Sequence, residues 1–339
     1  MPARFKWSLV SDERLLDTRI CDLPIRIKGS FIEPHIKRLY SELNVRGIRF
    51  KPHVWLSAEW FTPDGVPGFA IPFYLAHPRL MKLERKYMRE VEGGTDVECM
   101  RILRHEAGHA LDNAFRLHFK RRWIRTFGSF AQKYPPSYKP KPNSRRYVLN
   151  LDAWYAQAHP AEDFAETFAV WLQPRSNWRR RYRGWPALRK LEFVDRLMGE
   201  LAGKPPAVTK GHKTYDVRRL RSRLRTHYDR RRRLYAEESP GFFDSDLKHI
   251  FVDRSAASNG TGASRFLRRW RKPIVDSVVF WTRERKFTVD RLLKQLITRC
   301  DELKLCVPRD EDRAKVETAA YLSALVSNYL FTGRLKRGP

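Results

Sequence analysis

Apolar residues recur along this chain with two periods, one of two and one near 3.6, and their order predicts an α+β fold. Residues 23–28 (LPIRIK) and 50–56 (FKPHVWL) alternate as strands do, and an amphipathic helix is expected between them at 32–45. The segment 60–68, WFTPDGVPG, is dense in turn formers. GFAIPFYL, 68–75, then reads as a strand, and Pro72 within it argues for a sheet edge, where a missing N–H costs no ladder bond. A helix over 78–90 ends at Gly93-Gly94. Thr95 and Asp96 can cap the next, 96–117, in which Val97, Met100, Leu103, Ala107, Ala110, Leu111 and Ala114 recur at spacings of three and four. The proline-rich, basic stretch 118–146 breaks that pattern. A second central helix begins at Pro160, a favoured first helical residue, and runs to 172 with Phe164, Phe168, Trp171 and Leu172 as its core stripe.

An amphipathic helix over 186–202 stops at Gly203-Lys204-Pro205-Pro206. That stop predicts a domain boundary: residues 1–205 form an α+β unit with a small mixed sheet, and 206–339 an all-α unit. In the second unit a basic helix is expected at 214–236, a Ser/Gly/Ala-rich linker at 254–264, and helices at 264–283, 288–305 and 311–331.

Composition adds partners rather than fold. Lys and Arg number 68 against 38 Asp and Glu, a net charge of +30. Residues 1–174 carry 28 basic and 19 acidic side chains, residues 175–339 carry 40 and 19, so the second half is the stronger attractor of polyanions. The N-terminus has no apolar run of signal-peptide length, and no segment approaches a membrane span. A cytoplasmic protein is therefore expected, its cysteines (Cys21, Cys99, Cys300, Cys306) reduced and too widely spaced for a four-cysteine metal site. Asn259-Gly260-Thr261 reads as a turn.

The chemistry concentrates in two segments. His105-Glu106-Ala107-Gly108-His109 fits HExxH within a predicted helix. Four residues advance about 400° and about 6 Å, so both imidazoles leave one face close enough to share an ion. Glu106, next to the first ligand, can reach a water at the metal without binding the metal itself. A catalytic zinc takes three protein ligands and an open position. The third is sought in His159-Pro160-Ala161-Glu162-Asp163-Phe164-Ala165-Glu166, where Glu162 and Glu166 stand one turn apart, suited to a ligand and its supporting partner. Acids in a first helical turn also complement the helix dipole, the plainer reading for Asp163. Asp112, one turn after His109, can accept a proton from a ligand imidazole or stand as an exposed helix acid. His159, before Pro160, is the one further histidine of interest.

HEAGHALD followed by HPAEDFAETFAVWL resembles the zinc-binding metallopeptidases of bacteria and, more distantly, the catalytic domain of anthrax lethal factor, a gluzincin. The resemblance spans roughly residues 65–200. It implies a zincin-like domain holding one Zn2+ per chain on His105, His109 and Glu162, with Glu106 as general base and Glu166 supporting a ligand histidine. Tyr155, seven residues before Glu162, would face the scissile carbonyl. Apart from the resemblance, strand 68–75, as the edge that Pro72 suggests, would hold an extended peptide by strand addition through Phe69, Ala70 and Ile71, or is an ordinary edge strand. The implied activity is hydrolysis of a peptide or amide bond. Segment 116–150, with ten Lys or Arg and no acid, would favour acidic substrates. Residues 217–235, with nine Arg between 218 and 233, read as a solvated helix face, a dock for an acidic protein, or a contact to nucleic acid, though no nucleic-acid motif accompanies them. The competing readings are a protease tethered to nucleic acid and a silent zincin-fold binding module.

Overall fold

The computed structural model describes residues 7–88, 90–134, 141, 144–151, 154–234, 243–253 and 261–332. The fold is α+β and mostly helical. The chain forms two compact units: residues 1–87 with 91–230, and residues 231–339 with 88–90. Asn259, most of the linker expected at 254–264, and the end of the helix expected at 214–236 lie outside the described residues.

In the first unit, helix Ile32–Val45 is followed by two parallel strands, β1 (His53–Ser57) and β2 (Gly68–Pro72), paired in register Val54 to Phe69 and Leu56 to Ile71. Gly68 is required at the first pair, since a Cβ there would lie 2.2 Å from the His53 carbonyl oxygen. β2 ends where expected of a proline: Pro72 has no N–H, and Phe73–Ala76 turns into a 3-10 helix instead of extending the strand to 75. The outer side of β2 is not free. The Ala70 N–H donates to the Phe61 carbonyl over 2.8 Å in an antiparallel bridge, and Phe69, Ala70 and Ile71 are fully buried.

Residues 23–28 are not a strand. A 3-10 turn at Ile20–Asp22 leads into irregular chain. Leu23 is buried and Ile25 and Ile27 half-buried, so the alternation does mark the inward side, but the pairing needed for a strand is missing. Pro24 has no N–H, and nearby amides are taken elsewhere, Ile20 and Cys21 donating to the distant Ser222 and Leu220 carbonyls and Ile25 to that of Leu23.

Two helices form the centre of this unit. Helix Asp96–Phe115 is capped by Thr95, whose hydroxyl accepts from the Glu98 N–H, and ends at Arg116 in the left-handed region. Helix Pro160–Leu172 starts with His159 Nδ1 accepting from the Ala161 N–H, and all of its residues are buried, polar ones included. The two pack closely because Gly108 faces Ala165. A Cβ at Gly108 would meet the Ala165 Cα at 3.0 Å and the Phe168 ring at 3.2 Å.

The division of the chain falls at Arg230, not at 205. Trp55 Nε1 donates to the Thr214 carbonyl and Ser57 Oγ to that of Tyr215, tying residues beyond the Gly-Lys-Pro-Pro stop to β1. The basic helix is also shorter than expected. Val217–Arg219 is a 3-10 turn held by Asp216, and the α-helix begins at Leu224 and runs to Leu234. The second unit contains helices Asp244–Ile250, Ala263–Thr282, Lys286–Glu302 and Glu311–Thr332 around Phe266, Leu267, Leu292, Leu296, Leu322 and Val326. It is not purely helical, since Val252–Asp253 pairs with Leu305–Cys306.

Candidate metal centre

The close contact at Gly108 brings the histidines of one helix against the acids of the other. His105 Nε2 lies 3.0 Å from Glu162 Oε2, His109 Nε2 lies 3.2 Å from the same oxygen, and the two Nε2 atoms are 3.1 Å apart. Donors about 2.0–2.1 Å from a zinc ion stand about 3.3 Å apart along a tetrahedral edge, so this triangle fits one small cation closely. Among the described residues no other set of three His, Cys, Asp or Glu side chains meets in this way. The centre is a buried group that can hold a metal ion.

The atoms behind the triangle fix its orientation. His105 Nδ1 meets Glu166 Oε1 at 2.8 Å, which turns Nε2 toward Glu162 and His109. Glu166 is itself fully buried and accepts from Asn150 Nδ2 and from the Leu151 N–H, each over 2.8 Å. Glu162 Oε1 accepts from the Tyr134 hydroxyl over 2.8 Å, leaving Oε2 for the histidines. Tyr134 stacks on His159, whose Nε2 meets the Gln132 carbonyl. His159 is thus a cap and a platform, not a donor to the centre.

Glu106 extends from the same helix beside the triangle, and its Oε2 accepts from Thr62 Oγ1 over 2.8 Å. Tyr155, half-buried, has its ring centroid 5.7 Å from that of His105. With Trp60, Phe61 and Asp64 these residues line a cleft of about 170 Å³ over the three donors.

Burial and neighbouring charge oppose each other here. Burial alone would lower the His105 pKa, but hydrogen bonds to Glu162 and Glu166 overcome it and hold it well above the usual histidine value. Burial alone would raise Glu162, but the His109 charge and hydrogen bonds from both histidines hold its carboxyl well below the usual range. For Glu106 burial prevails over the histidines and Thr62, and its pKa is raised. Burial also raises Asp163 to about 7, against the pull of Lys190 Nζ at 2.5 Å.

The structure therefore brings His105, Glu106, His109, Tyr155, Glu162 and Glu166 together. It does not bring Asp112 to a ligand. Asp112 accepts from the His118 N–H over 2.8 Å and pairs with His118 Nδ1 at 3.1 Å, closing the chain after the helix. Phe69, Ala70 and Ile71 do not open onto the cleft, because their side chains fill the core and Phe61 takes the Ala70 amide. Three residues escaped the sequence reading: Thr62, Tyr134 and Asn150. Each lies in irregular chain without periodicity, and only Trp60-Phe61-Thr62, in a loop dense in turn formers beside a strand, carried any local signal.

Comparison with protein-family models, with curated proteins and with solved structures gives no match for this chain. No helix among the described residues is long and apolar enough to cross a membrane.

Proposed function

We propose that the protein is a zinc-dependent metallopeptidase of the gluzincin type, its first unit a zincin-like domain, hydrolysing a peptide or amide bond. The observation that carries this reading is the convergence of three donor atoms within 3.0–3.2 Å beside a buried carboxylate that is not one of them. His105, His109 and Glu162 would hold the ion. Zinc, when bound there, supplies a Lewis acid that polarises a carbonyl and brings the pKa of a water to about 7.

The chain's own residues do the rest. Glu106, kept in place by Thr62, accepts the proton of the attacking water and returns it to the leaving amine. Burial raises its pKa, the direction that favours holding the proton between the two transfers. Tyr155 would donate a hydrogen bond where charge develops on the carbonyl oxygen. Glu166, Asn150 and Tyr134 keep the ligands aimed, so little reorganisation is needed on binding.

The test combines metal analysis with cleavage of an unbiased peptide library. One zinc per chain and cleavage by the wild type are expected, with Glu106→Gln keeping zinc and fold but losing turnover. Tyr155→Phe should also keep zinc and lose about 10²–10³ in rate. A purified chain that takes up no transition metal after chelation and refeeding, or full turnover in both variants, would overturn the assignment.

A further inference from the structure

Away from the metal centre, the turn Arg175-Ser176-Asn177 and the short helix Trp178–Arg181 border a cavity of about 430 Å³. All the charged side chains lining it are arginines: Arg46, Arg175, Arg179 and Arg180. Ser176 and Asn177 add neutral polar groups, and no carboxylate is among the lining residues, although Asp195 pairs with Arg179. Like charges gathered around one hollow repel one another, an arrangement that a dianion relieves.

The four are not equivalent. Arg46 is anchored, donating to the Trp171 carbonyl over 3.1 Å and lying 4.8 Å over the Trp171 ring. Arg179 lies 4.1 Å over Trp178 and pairs with Asp195 at 2.5 Å. Arg175 and Arg180 are exposed and have no side-chain ion pair or hydrogen bond among the described residues. The backbone that presents them is strained: Arg175 has φ 56° and Asn177 φ 45°, two non-glycine residues in the left-handed region within three positions. Asn tolerates that region, but Arg gains nothing locally from it, and such strain tends to persist where it serves a site.

We propose that this arginine cavity binds a phosphate group carrying two or more negative charges, either free or at the end of a nucleotide. Guanidinium groups match phosphate oxygens with two parallel N–H donors each, and Arg175 and Arg180, unpaired among the described residues, supply two such forks, with Arg46 and Arg179 lining the same hollow. Because the site uses none of the metal-centre residues, it stands or falls independently of the peptidase reading.

The experiment titrates full-length protein with pyrophosphate and with ATP, following heat or Trp fluorescence, with KCl matched in ionic strength as reference. Saturable binding is expected, weakened at least about tenfold in Arg175→Gln/Arg180→Gln, since a hydrogen bond to a charged group is worth about that much. Both positions are exposed and should leave the thermal midpoint unchanged. Arg189→Gln/Lys210→Gln removes equal charge from exposed positions elsewhere on the same unit and should bind as the wild type does. Equal competition by pyrophosphate would identify the phosphate group alone as ligand, whereas tighter ATP binding would add the nucleoside, and either supports the site. No saturable binding, binding reproduced by KCl, or equal weakening in both double variants would overturn it.

Discussion

Glu162 and Glu166 lie one helical turn apart, yet their surroundings give them different work. Glu162 directs one oxygen at both histidines and the other at Tyr134, whereas Glu166 hydrogen-bonds, among the described residues, with His105 Nδ1 and the donors of Asn150 and Leu151. Glu162→Ala removes one of three donors and should abolish stoichiometric zinc. Glu166→Gln leaves the triangle whole but weakens the carboxylate that orients His105, and zinc affinity should fall about 10–100-fold. Competition against a chromophoric chelator separates the two. Reversed phenotypes would mean that helix Pro160–Leu172 sits one turn out of register along its axis. Because the ligands must shed protons to bind a cation, zinc uptake by the wild type should also release protons and weaken as pH falls.

Between residue and site stands the contact of helix Asp96–Phe115 with helix Pro160–Leu172. Gly108, the second variable position of HExxH, lets the ligand-bearing helices approach, with Ala165 backbone 3.0 Å from where a Cβ would be. Backbone cannot swing aside as a long side chain can, so Gly108→Ala should cost ~1–3 kcal/mol and weaken zinc binding by spreading the triangle. Gly199→Ala places the same methyl in open space within helix Ala187–Leu201 and should keep or raise stability, as thermal melts of the two will report. Burial in helices also governs the thiols. It raises Cys99 and Cys300 to about 12, and Cys306 is buried as well, so labelling at pH 7–9 should be confined to half-buried Cys21. Denaturant should release all four thiols to the reagent. These helices were readable in advance because Thr95 and Pro160 punctuate them and a 3.6 period continues between the caps. Residues 23–28 misled because alternation reports which side faces inward, not whether a partner strand is present. Thr62, Tyr134 and Asn150 were illegible for a related reason: contacts made across 16 to 44 residues from irregular chain leave no local pattern.

At the scale of the whole molecule, a charge of +30 sets a long-range field, but what a substrate meets depends on which charges are free near the cleft. Of the ten basic residues in 116–150, Arg122 is paired with Glu200, while Arg116 lines a cavity of about 780 Å³ with His118, Phe119, Ile124 and Phe130. Phe130, Asp64 and Asn113 also line the metal cleft, so the two hollows share a wall. Phe119 is 71% exposed, an unusual position for a large aromatic and one that suits a bound apolar group. A peptide extending from this cleft along the wall would meet apolar rings beside Arg116, which has no ion pair among the described residues. Cleavage should therefore favour peptides with a large apolar residue next to Asp or Glu over their Lys or Arg counterparts. Because part of the attraction is long-range, catalytic efficiency toward the acidic set should fall as salt rises from 0.05 to 0.5 M, where the screening length drops from roughly 14 to about 4 Å. Arg116→Gln should reduce that preference and its salt dependence together, and Phe119→Ala should raise KM with little change in kcat, having removed binding made equally in ground and transition states. Equal cleavage of acidic and basic libraries at both ionic strengths would show that segment 116–150 does not select substrate. Stimulation of cleavage by added DNA or RNA would instead assign its charge to tethering.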